Sequence, residues 1–325
     1  MGTTFTCVAT GDWNDDATWG LTDGDYPGNG GATDDVVIID VANKSGGAGA
    51  LTVTLVADVE LKAIKMAGTG AGDATLHTAS EHTLTLNDTE FSGYSAHVTG
   101  QTEFTGNVNF TFTKSGTTHI IIDPASQTNK LNDITCNHAS LALHLLSAIT
   151  IKGNLICTLG TFSTQSSGGG TSHQVTVAGN INVDGGNLNI NDSAVSCAKL
   201  IVESGDTITA AHSSNALTVT GAGIGNARSI DFTGAISGTL DIISTHSGTR
   251  EDDLSASSGV INHLTVNHAS AVMRMNASAT LANLTITAGQ FTTADAGGNS
   301  KDLTVTGNTL VDGTLTGNNS TLTFG

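Results

Sequence analysis

The sequence predicts an all-β fold, a right-handed parallel β-helix (β-solenoid) with an irregular N-terminal cap. A segment at 131–140, LNDITCNHAS, returns at 261–270 as INHLTVNHAS with six of ten residues identical. A second pair follows in the same order: VTVAGNINVDG at 175–185 and LTVTGNTLVDG at 303–313 share seven of eleven residues. Two matches in the same order indicate a duplicated module, and such internal duplication is typical of a repeat architecture.

We assign the duplicated module to residues 131–193 and 261–321. Within each copy, apolar strand residues recur with a period near twenty, and β-branched residues alternate with polar ones. This pattern is typical of a solenoid built from stacked β coils. A leucine-rich repeat has a similar period, but Ala139 stands where its frame requires asparagine. A propeller or a sandwich does not explain this period. In both copies an apolar strand residue recurs every 19 to 21 positions: Ile134, Leu155 and Val175, then Leu264, Leu284 and Leu303.

Residues 1–35 differ in amino-acid composition from the rest of the chain and are predicted to form the cap. They contain both tryptophans, Trp13 and Trp19, and one of the two prolines, Pro27. The first coil of a solenoid has no preceding coil to cover its core, so bulky aromatic side chains are needed there. The β-helix itself is predicted to occupy residues 36–325, beginning with the apolar run VVIID.

The charge of the chain limits its partners. Acidic residues outnumber basic ones by 29 to 11, which gives a net charge of −18. This charge repels phosphate backbones and anionic lipids, so neither nucleic-acid binding nor membrane insertion is expected. The N-terminus turns polar within ten residues, before an apolar run of signal-peptide or membrane-span length is reached. We therefore expect either release by a route such as lysis or an export signal outside this sequence.

A short motif lies in the first forty residues. WNDDATWG at 13–20 is followed by Tyr26-Pro27 and then by DDVVII at 34–39. This order resembles the start of G8-like and related right-handed β-helix domains of bacterial surface proteins and phage virion proteins. The resemblance implies an extracellular or virion-borne β-helix, and it brings no catalytic residue with it.

Four aspartates lie close together in the predicted cap: Asp23, Asp25, Asp34 and Asp35. Carboxylates of this kind can hold Ca²⁺, which takes roughly six to eight oxygen ligands. The chain contains no EF-hand or nonapeptide calcium pattern, so we interpret the four residues as solvated turn aspartates. No cofactor is therefore expected, and Ca²⁺ is the ion to test at this position.

The strongest catalytic candidate is the run Arg250, Glu251, Asp252 and Asp253. Polysaccharide-cleaving β-helices place carboxylates, alone or with a basic residue, on one exposed strand face. Here the run lies in the stretch SGTREDDLSASSG, which we interpret as a solvated loop tip. The aromatic content of 4% also disfavours a carbohydrate groove. A polysaccharide depolymerase or lyase stays open as the enzymatic alternative.

Two dipeptides survive the duplication unchanged: Asn137-His138 and Asn267-His268. Their simplest role is to fill a coil corner with side-chain hydrogen bonds. A histidine-based catalytic or metal site is the alternative.

The cysteines and the threonine-rich strands suggest structural roles. Cys7, Cys136, Cys157 and Cys197 are too scattered for a metal site or a disulfide frame and are interpreted as small buried hydrophobes. Repeated T-x-T strands are similar to those of ice-binding solenoids, but their intervals are irregular. Threonine is also a good outward-facing strand residue.

The last residues of the chain predict an assembly surface. The sequence stops at STLTFG without a polar capping segment, so Leu315, Leu322 and Phe324 are expected to leave the last coil open to water. Open solenoid ends and strand edges associate unless they are covered. Other virion proteins or copies of the chain are the expected partners, and a host-surface glycan is a further candidate.

Together these observations favour a non-enzymatic structural protein of a phage or virus particle, located in the virion or outside the cell. The candidates are a head fibre, a decoration protein and a component of a tail spike or fibre. The alternatives are the polysaccharide-cleaving enzyme described above and a glycan-binding surface adhesin on the same fold.

Overall fold

The described part of the chain is built almost entirely of parallel β-strands stacked coil upon coil. A computed structural model describes residues 2–47, 49–69, 72–91, 93–124, 131–211, 215–221 and 228–325. The predicted all-β solenoid is confirmed. Within these ranges, no helix reaches the length and apolarity that a membrane span requires. Helical segments in the described ranges are short 3₁₀ turns: Asp16–Trp19, Asn29–Gly31 and Val41–Asn43.

The chain divides into two compact units, and the first is Met1–His173. Its strands are β1 (Thr4–Thr6), β2 (Gly11–Asp12), β3 (Val36–Asp40), β4 (Leu51–Thr54), β5 (Val59–Leu61), β6 (Ala63–Gly68), β7 (Ala74–His77), β8 (His82–Leu86), β9 (Tyr94–Gly100), β10 (Thr102–Thr105), β11 (Val108–Phe112), β12 (Gly116–Pro124), β13 (Ile134–Leu145), β14 (Ile149–Ile151) and β15 (Leu155–Ser163).

Most of these strands belong to three parallel stacks. One stack runs β1, β3, β6, β9, β12, β13 and β15. A second runs β5, β8, β11 and β13, and a third runs β2, β4, β7 and β10. Strand β13 belongs to two stacks because its twelve residues continue around a corner of the coil.

The second unit is Gln174–Gly325. Its strands are β16 (Val175–Val177), β17 (Asn180–Val183), β18 (Gly186–Asn191), β19 (Val195–Cys197), β20 (Lys199–Val202), β21 (Thr207–Ala211), β22 (Leu217–Val219), β23 (Ile230–Phe232), β24 (Ala235–Ser244), β25 (Gly248–Asp252), β26 (Ile261–Met275), β27 (Ala279–Thr292), β28 (Leu303–Val305), β29 (Thr309–Val311), β30 (Thr314–Thr316) and β31 (Leu322–Phe324).

The strands of the second unit also pair in parallel from coil to coil. Strands β16, β19, β22, β24, β26 and β27 form a continuous stack, and β17, β20 and β23 form another. Three further strands, β28, β29 and β30, pair in parallel with strand β27. Strand β31 in turn pairs with β28.

The core forms because apolar residues alternate with polar ones along each strand. In β4, Leu51 and Val53 are fully buried whereas Thr52 and Thr54 are partly exposed. Successive strand residues point to opposite faces, so this alternation sends every second side chain into the coil interior. Each fully buried aliphatic side chain stabilises the fold by roughly 1.5–3 kcal/mol.

Coil length varies more than the sequence period suggests. Ile134 pairs with Leu155, 21 residues later, but Ile64 pairs with Ala96, 32 residues later. Only the strands must stay in register, so the turns between them can lengthen without disturbing the stack. The period of about twenty is therefore a property of the duplicated module and not of the whole chain.

The two copies of the repeated segment fold alike. From Ile134 in β13 and from Leu264 in β26, the next twelve residues have the same order of buried and exposed positions. Both strands bend at the shared NHAS sequence. After the bend, three apolar residues of each strand again point into the interior. The two copies therefore share the path of the backbone in this coil as well as part of its sequence.

The two tryptophans of the predicted N-terminal cap are buried, and strands β1 and β2 of the same segment already pair with strands of the solenoid. The Trp13 ring lies edge-on to Trp19, with 5.3 Å between ring centroids, and Trp19 packs in the same way on Phe5. The Nε1 group of Trp13 donates to the carbonyl of Pro27 at 2.9 Å. The Nε1 group of Trp19 donates to the carbonyl of Trp13 at 2.8 Å. These bonds satisfy the polar atom of each indole while its rings cover the core.

Candidate functional site

The run that was the strongest catalytic candidate does not lie at a loop tip, so the loop interpretation is wrong. Arg250, Glu251 and Asp252 belong to strand β25, and Asp253 follows directly after it. Arg250 and Asp252 point inward and are buried, with exposed fractions of 7% and 0%. Their partners in the register are Met273 and Met275, which are also buried. The direction of these side chains is set by strand pairing, which the Ser/Gly-rich composition of the segment does not reveal.

Asp252 ties its coil to the preceding one. Its Oδ1 atom accepts hydrogen bonds from the backbone N–H groups of Ser229 and Ile230, both at 2.7 Å, and from the Ser229 hydroxyl at 3.0 Å. Burial raises the pKa of this carboxyl to about 6, although these hydrogen bonds act in the opposite direction. A buried carboxylate with three donors on one oxygen has a structural role and does not face a substrate.

The other two carboxylates of the run have separate partners. Asp253 accepts from the backbone N–H of Ser255 at 3.0 Å and from the Asn276 side chain at 3.2 Å. Glu251 accepts from the backbone N–H of Ala296 at 3.2 Å. The three carboxylates therefore bind three different segments and do not converge on one groove as a glycosidase pair does.

Arg250 belongs to a buried polar group that sequence reasoning missed. Its Nη2 atom donates to the Gly221 carbonyl at 3.2 Å, and its Nη1 atom donates to the Thr249 carbonyl at 3.0 Å. The fully buried His246 lies nearby, with its Nδ1 atom 2.6 Å from the Ser244 hydroxyl. Burial, together with the charge of Arg250, lowers the pKa of His246 to about 4. His246 is therefore neutral at pH 7.

The repeated Asn-His pairs lie at coil corners, and the predicted role of their histidines is confirmed. The Nδ1 atom of His138 accepts from the backbone N–H of Ser140 at 3.3 Å and lies 3.1 Å from its hydroxyl. In the second copy His268 and Ser270 make the same contacts, at 3.3 and 3.0 Å. The imidazole thus accepts a local backbone hydrogen bond at the bend.

The four cap aspartates have individual partners or roles in turns. For Asp35 the interpretation as a solvated residue is wrong, because its side chain is buried. Its two carboxylate oxygens accept from the backbone N–H groups of Thr3 and Gly28, both at 2.9 Å. Asp23 accepts from the backbone N–H of Asp25, and Asp25 accepts from the backbone N–H of Tyr26. Asp34 interacts electrostatically with Lys62. In the described ranges, no group of three or more His, Cys, Asp or Glu side chains is placed to hold a metal ion.

All four cysteines are free and buried, which confirms their interpretation as small hydrophobes. Cys136 and Cys157 are register partners on neighbouring strands. A hydrogen bond between them, together with burial, raises the pKa of the Cys136 thiol well above its usual range. Burial also raises the pKa of Cys7 to about 11 and that of Cys197 to about 12. These thiols are unreactive near neutral pH because the thiolate is the reactive form.

The last coil has exposed apolar residues, most of them at inward-facing register positions. Register pairing places Leu315 against the buried Phe291, and Leu322 and Phe324 against the buried Leu303 and Val305. Leu315 and Leu322 are nevertheless partly exposed, and Phe324 is 48% exposed. Val311 and Leu310 on β29 are 40% and 54% exposed. We call Leu310, Val311, Leu315, Leu322 and Phe324 the last-coil surface.

A column of rings on the first unit was not foreseen from the sequence. Tyr94, His119 and His144 pair in register on β9, β12 and β13. The ring centroids of Tyr94 and His119 are 6.3 Å apart, and those of His119 and His144 are 5.9 Å apart. The equal spacing of 25 residues along the sequence is a signal that could have revealed the column.

The chain was compared with known protein families, curated proteins and solved structures. No family model, no curated protein and no solved structure matches this chain.

Proposed function

We propose that this chain is a non-enzymatic structural protein of a phage or virus particle, in which the solenoid projects from the particle as a head fibre, a decoration protein or part of a tail spike or fibre. The observation that carries the proposal is the use of the Arg250–Asp253 run. Its carboxylates bind three separate segments of the solenoid, and the fully buried Asp252 bridges two coils. Charged groups used in this way stabilise a rigid body, which is what a projecting fibre requires.

The N-terminal motif and the charge are consistent with this proposal. The order WNDDATWG, Tyr26-Pro27 and DDVVII resembles the start of G8-like and virion-borne β-helix domains. A net charge of −18 keeps a surface protein soluble and repels nucleic acid. A virion or extracellular location follows from the same proposal.

The last-coil surface is the proposed contact with a second copy of the chain. Phe324 and Val311 are exposed there although their register positions point inward. A copy can cover these side chains and also pair with the free edges of short parallel strands. A two-fold axis would let the same surface serve both copies.

The test is the mass of the full chain in solution, measured by light scattering. We expect an oligomer that dissociates to monomers in the variant Phe324→Asp, because a buried unpaired charge disrupts an apolar contact. Leu159→Asp is the matched control: Leu159 is also exposed, at 39%, but lies on β15 in the other unit. A monomeric wild-type chain, or equal dissociation in both variants, would contradict the assembly surface.

A second measurement tests the absence of catalysis. The full chain is incubated with bacterial capsular and cell-wall polysaccharides, and new reducing ends or unsaturated products are quantified. We expect none above a heat-denatured control. A cleaving activity that disappears in Glu251→Gln would overturn the structural role, because this conservative change keeps the size of the side chain.

A further inference from the structure

Ser80, His82 and Asp58 form a chain of hydrogen bonds on the first unit. The Ser80 hydroxyl lies 3.0 Å from Nε2 of His82, and Nδ1 of His82 lies 3.4 Å from Oδ1 of Asp58. His82 is the first residue of β8, whereas Asp58 directly precedes β5. Because β5 and β8 pair in parallel, the register between coils brings the three side chains together.

The Asp58 carboxylate sets the direction of these hydrogen bonds. An ionised carboxylate only accepts, so Nδ1 of His82 carries the proton of the neutral imidazole. The lone pair is then on Nε2, where it accepts from the Ser80 hydroxyl. The order is therefore a serine donor, an imidazole base and an orienting carboxylate, which is the arrangement that activates a serine as a nucleophile.

Further hydrogen bonds hold the members of this chain in place. Oδ1 of Asp58 also accepts from the backbone N–H of Thr83 at 2.9 Å, which keeps the carboxylate beside His82. The His82 side chain is only 20% exposed. The hydroxyl of the buried Thr78 donates to the carbonyl of Ser80 and restrains the segment before β8. Ser80 itself is exposed, so it is open to reagents in solution.

Two other serine–histidine pairs provide an internal comparison. The hydroxyls of Ser140 and Ser270 lie 3.1 and 3.0 Å from Nδ1 of His138 and His268, and both serines are exposed. Over the ranges that the structure describes, no carboxylate forms a hydrogen bond with either imidazole. These pairs therefore have a base beside the hydroxyl but lack the carboxylate that orients it.

We propose that Ser80 is a covalent modification site that is acylated by activated acyl esters. The Ser80 oxygen forms a bond to the acyl carbon while Nε2 of His82 takes the hydroxyl proton. The bond between the acyl carbon and the leaving oxygen then breaks, and the leaving group takes the proton from His82. Asp58 holds the reactive tautomer and stabilises the imidazolium that forms.

The step is a simple acyl transfer. An ester and the serine hydroxyl give an acyl-serine and a free alcohol or phenol, and nothing is oxidised or reduced. The product is a modified side chain, so the step requires no turnover. The site does not depend on the function proposed above.

The test is incubation of the full chain with p-nitrophenyl acetate, followed by peptide mapping with mass spectrometry over time. We expect Ser80 to be acetylated about tenfold or more faster than Ser140 and Ser270, because only Ser80 has a base that a carboxylate orients. Equal rates at the three serines would overturn the proposal.

Variants of the base and of the carboxylate separate activation from mere exposure. His82→Gln and Asp58→Asn should each slow acetylation of Ser80 by about tenfold or more, and the rates at Ser140 and Ser270 should not change. The asparagine keeps an oxygen that can accept from Thr83. Circular dichroism and a thermal melt confirm that each variant is folded. An unchanged rate at Ser80 in the folded variants would show that its hydroxyl is not activated and would also overturn the proposal.

Discussion

The carboxylate of Asp252 accepts a hydrogen bond from the backbone N–H of Ser229 at 2.7 Å, and this bond joins two neighbouring coils inside the solenoid. A second backbone N–H, that of Ile230, binds the same oxygen. Backbone groups that face the interior without a strand partner need such an acceptor, because an unsatisfied buried N–H is costly. A charged side chain therefore completes the backbone hydrogen bonding of this coil.

Replacing Asp252 by alanine should destabilise the second unit substantially. The change leaves two buried backbone N–H groups without an acceptor, at about 1–3 kcal/mol each, so we expect a loss of about 2–6 kcal/mol in the free energy of unfolding. Urea denaturation followed by circular dichroism measures it. Glu251→Ala is the matched control on the adjacent residue, and its effect should stay within about 0.5 kcal/mol. Equal losses in the two variants would contradict the role assigned to Asp252.

Two buried groups, Asp252 and His246, should change the free energy of unfolding with pH in opposite directions. Burial raises the pKa of Asp252 from 3.8 to about 6. The native chain thus holds a proton that the unfolded chain releases, and the free energy of unfolding falls as pH rises between these values. Burial lowers the pKa of His246 from 6.5 to about 4. Here the unfolded chain holds the extra proton, so the free energy of unfolding rises with pH over that range.

Replacing either Asp252 or His246 should make the effect of the other on the pH dependence of stability visible. In Asp252→Asn, the opposing contribution of Asp252 is absent and that of His246 remains, so stability should rise more steeply between about pH 4 and pH 6.5 than in the wild type. In His246→Gln, stability should instead fall more steeply with pH up to about 6. Each contribution is at most about 1.4 kcal/mol per pH unit. Urea denaturation at several pH values measures the slopes, and parallel curves for the three proteins would contradict the assignment.

A glycine on the coil next to each NHAS corner should not tolerate a side chain. Gly160 and Gly289 have φ values of +79° and +87°, and an added Cβ would lie 2.5 Å from the carbonyl oxygen of His138 or His268. Gly160→Ala and Gly289→Ala should each cost about 1–3 kcal/mol or more. Gly116→Ala is the control, because Gly116 has φ of +83° with nothing within 4 Å of an added Cβ. It should lose only the conformational part, about 1 kcal/mol, in the same denaturation experiment.

The tryptophan cap should be necessary for the stability of the first unit. Trp13→Ala removes a buried ring and its hydrogen bond to Pro27, at a cost of about 3–5 kcal/mol. The thermal melt should show a lower midpoint together with increased binding of a hydrophobic dye. Asn14→Ala changes the exposed neighbouring residue and should leave the melt unchanged. A Trp13→Ala protein as stable as the wild type would show that the cap does not protect the core.

Much of the fold can be predicted from local features of the sequence. The alternation in Leu51–Thr54 and the duplication around His138 and His268 are visible without a structure, because each reflects the geometry of one strand or one coil. The buried tryptophans of the cap are equally foreseeable, since the first coil must be covered. The long coils are not, because turns of any length preserve the register.

The candidate sites were less predictable. Arg250 and Asp252 lie among serines and glycines, which suggested a solvated loop, and only pairing with β26 shows that they point inward. The column of Tyr94, His119 and His144 depends on the register of three coils. Residues spaced by 25 positions meet only if the intervening turns have the right lengths.

The amino-acid sequence alone specifies the coil architecture, the duplicated module and the buried aromatic cap, because these depend on interactions between residues close in the chain or on plain apolar alternation. The tertiary structure decides which polar side chains enter the core and which rings stack on the outer face. Both outcomes depend on register between coils, and register results from the packing of the whole stack.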